Sequence, residues 1–547
     1  MIHRITGRHL FIQNFGAAAW LKAETDIEGQ IAKVYSRVHQ AIHQIGLDAL
    51  MKLTHRCIYT EVVFALEAPV DLLYTACAIL EWASEVEPAF DLVTETFEKE
   101  GNTNWRAVRK WAADHKIPCV DDEDGLTLGM GCFAQTWPLN ALPSVTSLHP
   151  DTFQRIPAVY ITGTNGKTTS SRMLSAICRA SKKFSGVGQT STDGVSINGE
   201  WVERGDWTGP GAARMILRDS RVDVAILETA RGGLMRRGLV IDGVEAAAIT
   251  NVSDDHLGAW GIRTVRDMAI AKLTVTLGVK EGGVVLLNAD CAPLMTAWQD
   301  FQQRHPERTW TVQLFSSTQS EGMSVYLDGG MLCHREFGPI LKISDIPLTL
   351  GGRAMYNVEN AMVAMALAVS MGIGVEAIRE GLAQLRPIQQ ESRGRSNWLR
   401  YQGADIFVDF AHNPDGIRRI VEMGERWTST RKAIVLGQAS DREDQEIAGL
   451  ALQAMKLGAE MYFLKELPGH AYHRPASEVV DVLQATLQTH GVTTAQISRA
   501  TNDLDCAQKA MDWVQQGDLL ILLCHEEQDA VMDFLLKKGA EWATSMV

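Results

Sequence analysis

The sequence predicts an α/β fold, and three observations carry that prediction. From residue 157 onward, apolar runs alternate with amphipathic stretches, the pattern of a mostly parallel sheet covered by helices. Polar residues follow the ends of these runs directly. One run, Ala158-Val-Tyr-Ile-Thr162, breaks into the glycine loop Gly163-Thr164-Asn165-Gly166-Lys167-Thr168-Thr169. A segment with Met173, Leu174 and Ile177 on one helical face comes next.

In chain order, residues 1 to 131 mix short strand-like and helical stretches and read as an N-terminal α+β domain. Val62-Val-Phe-Ala-Leu-Glu67 is one strand, and Asp71 to Val86 is the helix after it. Residues 132 to 156 are loop-like, with Pro138, Pro143 and Pro150 among Ser, Thr and Asn, and serve as a linker. Beyond residue 157, strands are expected to end at Ile161, Leu227, Ile249, Leu287, Phe410, Leu436 and Leu523.

The composition narrows the function. A chain of 547 residues, 46% hydrophobic and 22% charged, describes several globular domains with ample core. A formal net charge of −14 excludes a broad nucleic-acid footprint, so any phosphate site is local. Nine scattered Cys with no Cys-x-x-Cys pair fit reduced thiols, hence a cytoplasmic protein. Gln13, Asn14 and Gly16 interrupt the apolar stretch Leu10 to Leu21, which argues against a signal peptide. No run approaches the ~18–20 apolar residues of a membrane span, so no membrane partner is expected.

Strand, glycine loop and helix together point backbone N–H groups and a helix N-terminus at a phosphate. Lys167 has the reach for the outer phosphates, and the Thr168 hydroxyl suits Mg²⁺. Ile161 stands where the first Gly of the full Walker spacing would be, so a tight turn before a helix is the competing reading. Glu228, Thr229, Thr250, Asn251, Asp254-Asp255-His256, Asn288, Asp290 and Ala411-His-Asn-Pro414 follow other strand ends. Ligands in open parallel sheets bind at such positions, which could converge with the loop.

The ordered runs resemble the Mur ligase superfamily of ATP-dependent amide ligases, and within it the C-terminal ligase half of the cyanophycin synthetases. They are Gly163 to Thr169, Thr192-Asp-Gly194, Thr208-Gly-Pro210 and Glu228-Thr-Ala-Arg-Gly-Gly233. Thr250 to Gly258, Leu350-Gly-Gly-Arg353, Asn357-Val-Glu-Asn360 and Asp409-Phe-Ala-His-Asn-Pro414 follow. The resemblance implies a central P-loop parallel-sheet ATPase domain over residues 157–387 and a C-terminal Rossmann-like α/β domain over 388–547, with the boundary near Pro387 to Asn397. It implies an acyl-phosphate route to an amide or isopeptide bond, releasing ADP and phosphate.

The same resemblance implies residue roles. Lys167, Glu228, His256 and Lys272 are expected to be catalytic. Thr168 and Glu228 would hold a first Mg²⁺, and His256 a second. Lys272, 16 residues after His256, matches a lysine carbamylated by CO₂. A carbamate would turn a repelled cation into an anionic metal partner. Gly163, Thr164, Asn165, Gly166, Thr169, Asn288, Asn357, Asn360, Arg395, Asp409 and His412 are expected around the nucleotide. Cys291 departs from the paired acids usual there, and reads as a small buried residue. Arg231 and Asp193 are candidate substrate contacts. Each has an ordinary alternative: a helix cap for Glu228 and the Asn residues, a surface lysine, an ion pair for Arg231, a turn for Asp193.

Residues 1–131 faintly resemble the N-terminal region of the cyanophycin synthetases. Gly125-Leu-Thr-Leu-Gly-Met-Gly131 matches the segment where their ATP-grasp domain begins, yet Ala158 follows within 27 residues. The expectation is a relative without that second active site, making one kind of amide bond between an amino-acid amine and a carboxylate or short peptide. In the family, the Mur-like half joins the arginine α-amine to an aspartate side chain. A homo-oligomer and a separate ligase acting in the same pathway are further expectations. Alternatives are a nucleotide-binding scaffold or regulator, a nucleotide switch without ligation, or a peptidoglycan or folylpolyglutamate type of ligase.

Overall fold

A computed structural model describes the chain except residues 85–89, 255–256, 259, 386–393, 473 and 544–547. Its first strands are β1 (Ile2–Thr6), β2 (Phe15–Lys22), β3 (Lys52–Ile58) and β4 (Glu61–Glu67), an antiparallel sheet in the order β1-β2-β4-β3. Helices α1 (Ile27–Gln44) and α2 (Leu73–Ser84) supply Val34, Val38, Ala76 and Ile79 to a core shared with Val62, Phe64 and Leu66. The expected strand is therefore β4, and the expected helix is α2 behind a short turn at Val70–Leu72.

Helices α3 (Asp91–Glu100) and α4 (Thr103–Asp114) lead to a small sheet of β5 (Cys119–Asp121), β6 (Leu126–Leu128) and β7 (Gln135–Trp137). Beyond it, residues 138–156 hold only short 3₁₀ turns. They include Leu139–Ala141, Val145–Ser147 and Pro150–Thr152, whose prolines suit such turns.

The central sheet follows the alternation read from the sequence. It comprises β8 (Ala158–Thr162), α5 (Lys167–Ala180), β9 (Val187–Ser191), β10 (Gly194–Ile197), β11 (Glu200–Arg204), α6 (Pro210–Arg218) and β12 (Val224–Glu228). Next come α7 (Arg231–Arg237), β13 (Val244–Ile249), α8 (Val265–Leu273), β14 (Val279–Asn288), α9 (Ala292–Arg304) and β15 (Thr311–Ser316). Six parallel strands lie in the order β9-β12-β8-β13-β14-β15, and the antiparallel pair β10-β11 extends one edge. Every residue of β8 and β12 is buried, as a parallel sheet covered on both faces requires. The chain leaves β8 toward β9 and returns through β12 to β13, so it reverses direction beside β8. Such reversals open a crevice at the strands' carboxyl ends.

Two compact units result. The first contains Met1–Tyr326, His334–Glu336 and Asn360–Gly381; the second contains Leu327–Cys333, Phe337–Glu359 and Leu382–Val547. Strands β16 (Val325–Asp328), β17 (Met331–His334) and β18 (Gly338–Lys342) precede α10 (Met355–Ser370) and α11 (Val375–Gln384). In the second unit, β19 (Asn397–Tyr401), β20 (Ala404–Asp409), α12 (Pro414–Glu425), β21 (Lys432–Leu436), α13 (Asp444–Met455) and β22 (Met461–Lys465) come first. They lead to α14 (Ala476–Thr489), β23 (Ile497–Ala500), α15 (Asp503–Trp513), β24 (Leu519–Leu523), α16 (Gln528–Lys537) and β25 (Glu541–Trp542).

The second unit's sheet has the order β23-β22-β21-β24-β20-β19-β25, with β20 to β24 parallel. Alternate strand residues face opposite sides. Ile434, Leu436 and Leu464 pack on one face with α12 to α14. Ala433, Val435 and Leu522 pack on the other with α15 and α16. This is the expected Rossmann-like arrangement. Among the described residues, no helix is long and apolar enough to cross a membrane.

Candidate functional site

The glycine loop joins the tip of β8 to the first turn of α5. Gly166 caps that helix at φ +86°, a left-handed conformation that glycine adopts without strain. The loop is fastened to the segment after β13. Thr164 N–H donates to Asn251 O (3.0 Å), and Asn165 N–H to Asn251 Oδ1 (2.9 Å). Thr250 Oγ1 and Asn251 Nδ2 both donate to Asn165 O, at 2.6 and 3.0 Å. Ser253 N–H in turn donates to Thr164 Oγ1 (3.1 Å). The loop thus holds its shape through backbone and side-chain groups 85 to 89 residues away in sequence. Lys167 folds back over it, donating to Gly163 O (3.1 Å) and Thr164 O (3.0 Å).

Two distant residues reach this loop. Lys272, near the end of α8 and 4% exposed, donates from Nζ to Gly163 O at 2.7 Å. Its helix starts with a capping box in which Thr264 accepts from Asp267 N–H, and Tyr59 Oη donates to the Asp267 carboxylate at 2.7 Å. Glu228, the last residue of β12 and 2% exposed, accepts from Thr168 Oγ1 (3.1 Å) and Thr192 Oγ1 (2.9 Å) through one oxygen. Strand tips β8, β9, β12 and β13 therefore meet around the start of α5.

The remaining candidates divide by location. Asn360 in α10 is buried and accepts from Ser170 Oγ at 3.3 Å, with its Oδ1 facing Gly166. Asn288 at the tip of β14 donates to Thr250 O (2.9 Å) and accepts from Asp290 N–H (2.9 Å), steadying the β13 tip. Cys291 accepts from Val252 N–H through Sγ at 3.3 Å. Thr169 lies in the first turn of α5. Asp193 is paired with Arg172 at 2.7 Å, and Arg231 opens α7 directly after the Glu228-Thr-Ala230 turn. His256 lies outside the described residues.

Four candidates belong to the second unit. Asn357 donates to Leu348 O at 2.7 Å and to Ser396 Oγ at 3.3 Å. Asp409 accepts from Ser396 N–H (2.8 Å) and Ala411 N–H (2.9 Å), while burial holds its carboxyl above the usual range. The Arg395 guanidinium stands 4.8 Å from the centre of the Phe410 ring, a cation–π contact. His412 Nδ1 lies 3.2 Å from Phe410 O.

The donor set around Thr168 suits a hard cation. A carboxylate and two hydroxyls (Glu228, Thr168 and Thr192) are oxygen donors of the kind Mg²⁺ takes, which leaves positions for water and phosphate oxygens. The buried Thr162 hydroxyl at the root of the loop has no hydrogen-bond partner among the described residues. Those residues contain no cluster of three or more His, Cys, Asp or Glu able to hold a metal by themselves.

Thr250 and Asn251, which the sequence places after a strand end as candidates to converge on the loop, do bond to it, whereas sequence reasoning gives Thr192 and Arg172 no role. Thr192 directly follows β9, so its position at a strand tip is the signal that could have found it. Nothing in the sequence marks Arg172 as the partner of Asp193.

Residues 161–368 match the Mur ligase middle domain, and residues 394–524 match the Mur ligase glutamate ligase domain. The chain belongs to the Mur ligase family. Cyanophycin synthetase of Crocosphaera subtropica is 32% identical over 386 residues, 68% of this chain and 43% of that protein. Its counterpart from a Synechocystis species is 33% identical over 403 residues, 72% of this chain and 45% of that one. The Mur ligase family member thus spans less than half the length of these relatives. In fold, it is similar to Mycobacterium tuberculosis folylpolyglutamate synthase complexed with ADP. That match has a TM-score of 0.53 at 17% identity and covers 71% of this chain and 91% of that one.

Proposed function

We propose that this Mur ligase family member is an ATP-dependent acid–amino-acid ligase. It would phosphorylate a carboxylate with ATP and let an amino-acid amine attack the acyl phosphate, giving an amide or isopeptide bond, ADP and phosphate. The observation that carries this reading is the meeting of Glu228 and Lys272 with the glycine loop, from 60 and 109 residues away. Family membership supplies the reaction class, and the folylpolyglutamate synthase whose fold it shares was solved with ADP.

Physical requirements support the assignment. A γ-phosphate and a carboxylate repel each other, so cationic donors must neutralise both while holding them in line. Lys167 exchanges its two internal carbonyl partners for phosphate oxygens, and the N–H groups at the start of α5 receive the phosphate chain. Thr168 and Glu228 would hold one Mg²⁺ and His256 a second, and such ions would supply charge neutralisation across the transferring phosphoryl group. Carbamylation of Lys272 would replace its bond to Gly163 O with anionic oxygens facing that site. Asn360, through its place beside Gly166, and Asn288, through the β13 tip, shape the nucleotide pocket. Asn357, Arg395, Asp409 and His412 are assigned to nucleotide contacts. Arg231 and Asp193 are assigned to substrate, with Arg172 fixing Asp193.

The domain limits that accompany this reading are 1–131, 132–156, 157–387 and 388–547. The enzyme makes one kind of bond, between an amino acid and a carboxylate or short peptide, as a cytoplasmic homo-oligomer working beside a separate ligase. The test is phosphate release from ATP across a panel of amino acids, arginine included, paired with aspartyl or short peptide acceptors. Mass spectrometry of the products completes it. Stimulation by a defined pair with a condensed product is expected. ATP turnover insensitive to every pair would instead leave a nucleotide switch, and no turnover at all a scaffold.

A further inference from the structure

A cavity of about 170 Å³ lies at the opposite pole of the central sheet from the glycine loop. Arg155 precedes β8 and Asp242 precedes β13, whereas Gly163 and Thr250 follow the same two strands. The intervening strand of five residues separates the poles by roughly 16 Å. The cavity is walled by Phe15 and Ile241 and lined by Arg8, Arg109 and Arg155, with Asp242 the one lining carboxylate.

The three guanidinium groups are not equally engaged. Arg8 grips the Asp242 carboxylate through Nε and one terminal nitrogen at 2.8 to 3.0 Å. Arg109 pairs with Asp121 at 2.6 Å and lies 4.3 Å over the Phe15 ring. Arg155 has no carboxylate partner among the described residues; its one hydrogen bond goes to Asp242 O at 2.7 Å. Its guanidinium rests on Gly243, φ +82°, where an added Cβ would come within 2.9 Å of it. A guanidinium carries five N–H donors in a rigid fork that matches carboxylate or phosphate geometry. Arg155 is solvent-exposed and spends one of them, so the rest of its fork is available at the mouth of a cavity of mixed polar and apolar lining. The cavity is half open to solvent, with room for a molecule of about the bulk of benzene.

We propose that this cavity is a second binding site, separate from the nucleotide loop, for a small anion: a carboxylate or phosphate group on a short aliphatic body. Arg155 is its principal partner, Arg8 and Arg109 being already held by Asp242 and Asp121, and Asp242 is the internal competitor.

Calorimetric titration of the full chain tests this, with succinate and inorganic phosphate as separate probes and ionic strength held constant with chloride. Saturable binding of at least one probe is expected, and which probe binds tells the carboxylate source from the phosphate source. Arg155→Gln should weaken it about tenfold or more, the scale of a lost charge-assisted fork. Asp242→Asn should tighten it, a change opposite in sign to the effect of general damage. Lys167→Ala should leave it in place. Absence of saturable binding for both probes overturns the proposal. So does binding lost in Lys167→Ala but kept in Arg155→Gln, which assigns the anion to the glycine loop. Weaker binding in both cavity variants also counts against it.

Discussion

Gly166 sits where any side chain would have to move a neighbour. A Cβ there would lie 2.1 Å from Asn360 Oδ1, and the backbone is left-handed. Gly166→Ala is therefore expected to distort the first turn of α5 and weaken ADP binding tenfold or more by calorimetry, with the far-ultraviolet circular dichroism retained. Lys272 is the other decisive single residue. Its amine is buried against Gly163 O, so a neutral truncation removes both that bond and the proposed point of carbamylation. Lys272→Ala should abolish amide formation, and added short carboxylates should restore part of it. Full activity in the variant would remove Lys272 from the mechanism. At this scale the sequence was partly legible. Glycine, lysine and threonine of the loop announce themselves, because few other structures need that string. The contact of Lys272 with Gly163 does not, because nothing in a helical Ala-Ile-Ala-Lys run says what its end will touch; the family resemblance singled it out.

At the scale of elements, the site is made by strand tips and not by the loop alone. Asn251 donates to and accepts from the backbone of Asn165, which lets β13 hold the loop in shape before any phosphate arrives. Asn251→Ala removes both bonds, each worth roughly 0.5–1.5 kcal/mol net. The expected result is nucleotide affinity lowered about tenfold while the thermal midpoint falls only slightly. An unchanged ADP affinity would mean the loop keeps its shape by other means. The strands themselves were readable: apolar runs stop within a residue of the expected ends at β8, β12, β13, β14, β20, β21 and β24. The lacing was not readable, since it depends on which strands become neighbours. Strand order β12-β8-β13 is a property of crossovers that local periodicity does not encode.

For the whole molecule, the buried histidines of the N-terminal region set a pH limit. His9 accepts from Phe11 N–H at Nδ1 (3.2 Å) and lies 3.0 Å from Met235 O at Nε2, an arrangement that suits the neutral ring. Burial lowers the pKa of His9 and of His3 to about 4. The unfolded chain binds those protons near pH 6.5 while the folded chain refuses them, so stability is full above 6.5 and declines as pH falls toward 4. Each histidine should remove on the order of 2 kcal/mol between pH 7 and 5, measured by urea unfolding. His9→Gln should flatten part of that slope. The two-unit division was the least legible feature. Helix α10 reads as one continuous apolar stretch, yet Met355 to Glu359 belong to one unit and Asn360 onward to the other. Periodicity marks a helix without saying which neighbours it will join.

The way the first 131 residues are sewn onto the central sheet has a practical consequence. Arg218 reaches Asp122, Val120 O and Gly125 O, and Leu239 N–H donates to Arg8 O. Cutting the chain ahead of β8 would strip partners from arginines on α6 and bare the apolar edge they cover. A chain trimmed at that point should accordingly precipitate on expression. The N-terminal region is thus best understood as a built-in wall of the first compact unit, and engineering that treats it as a detachable tag would begin from the wrong boundary.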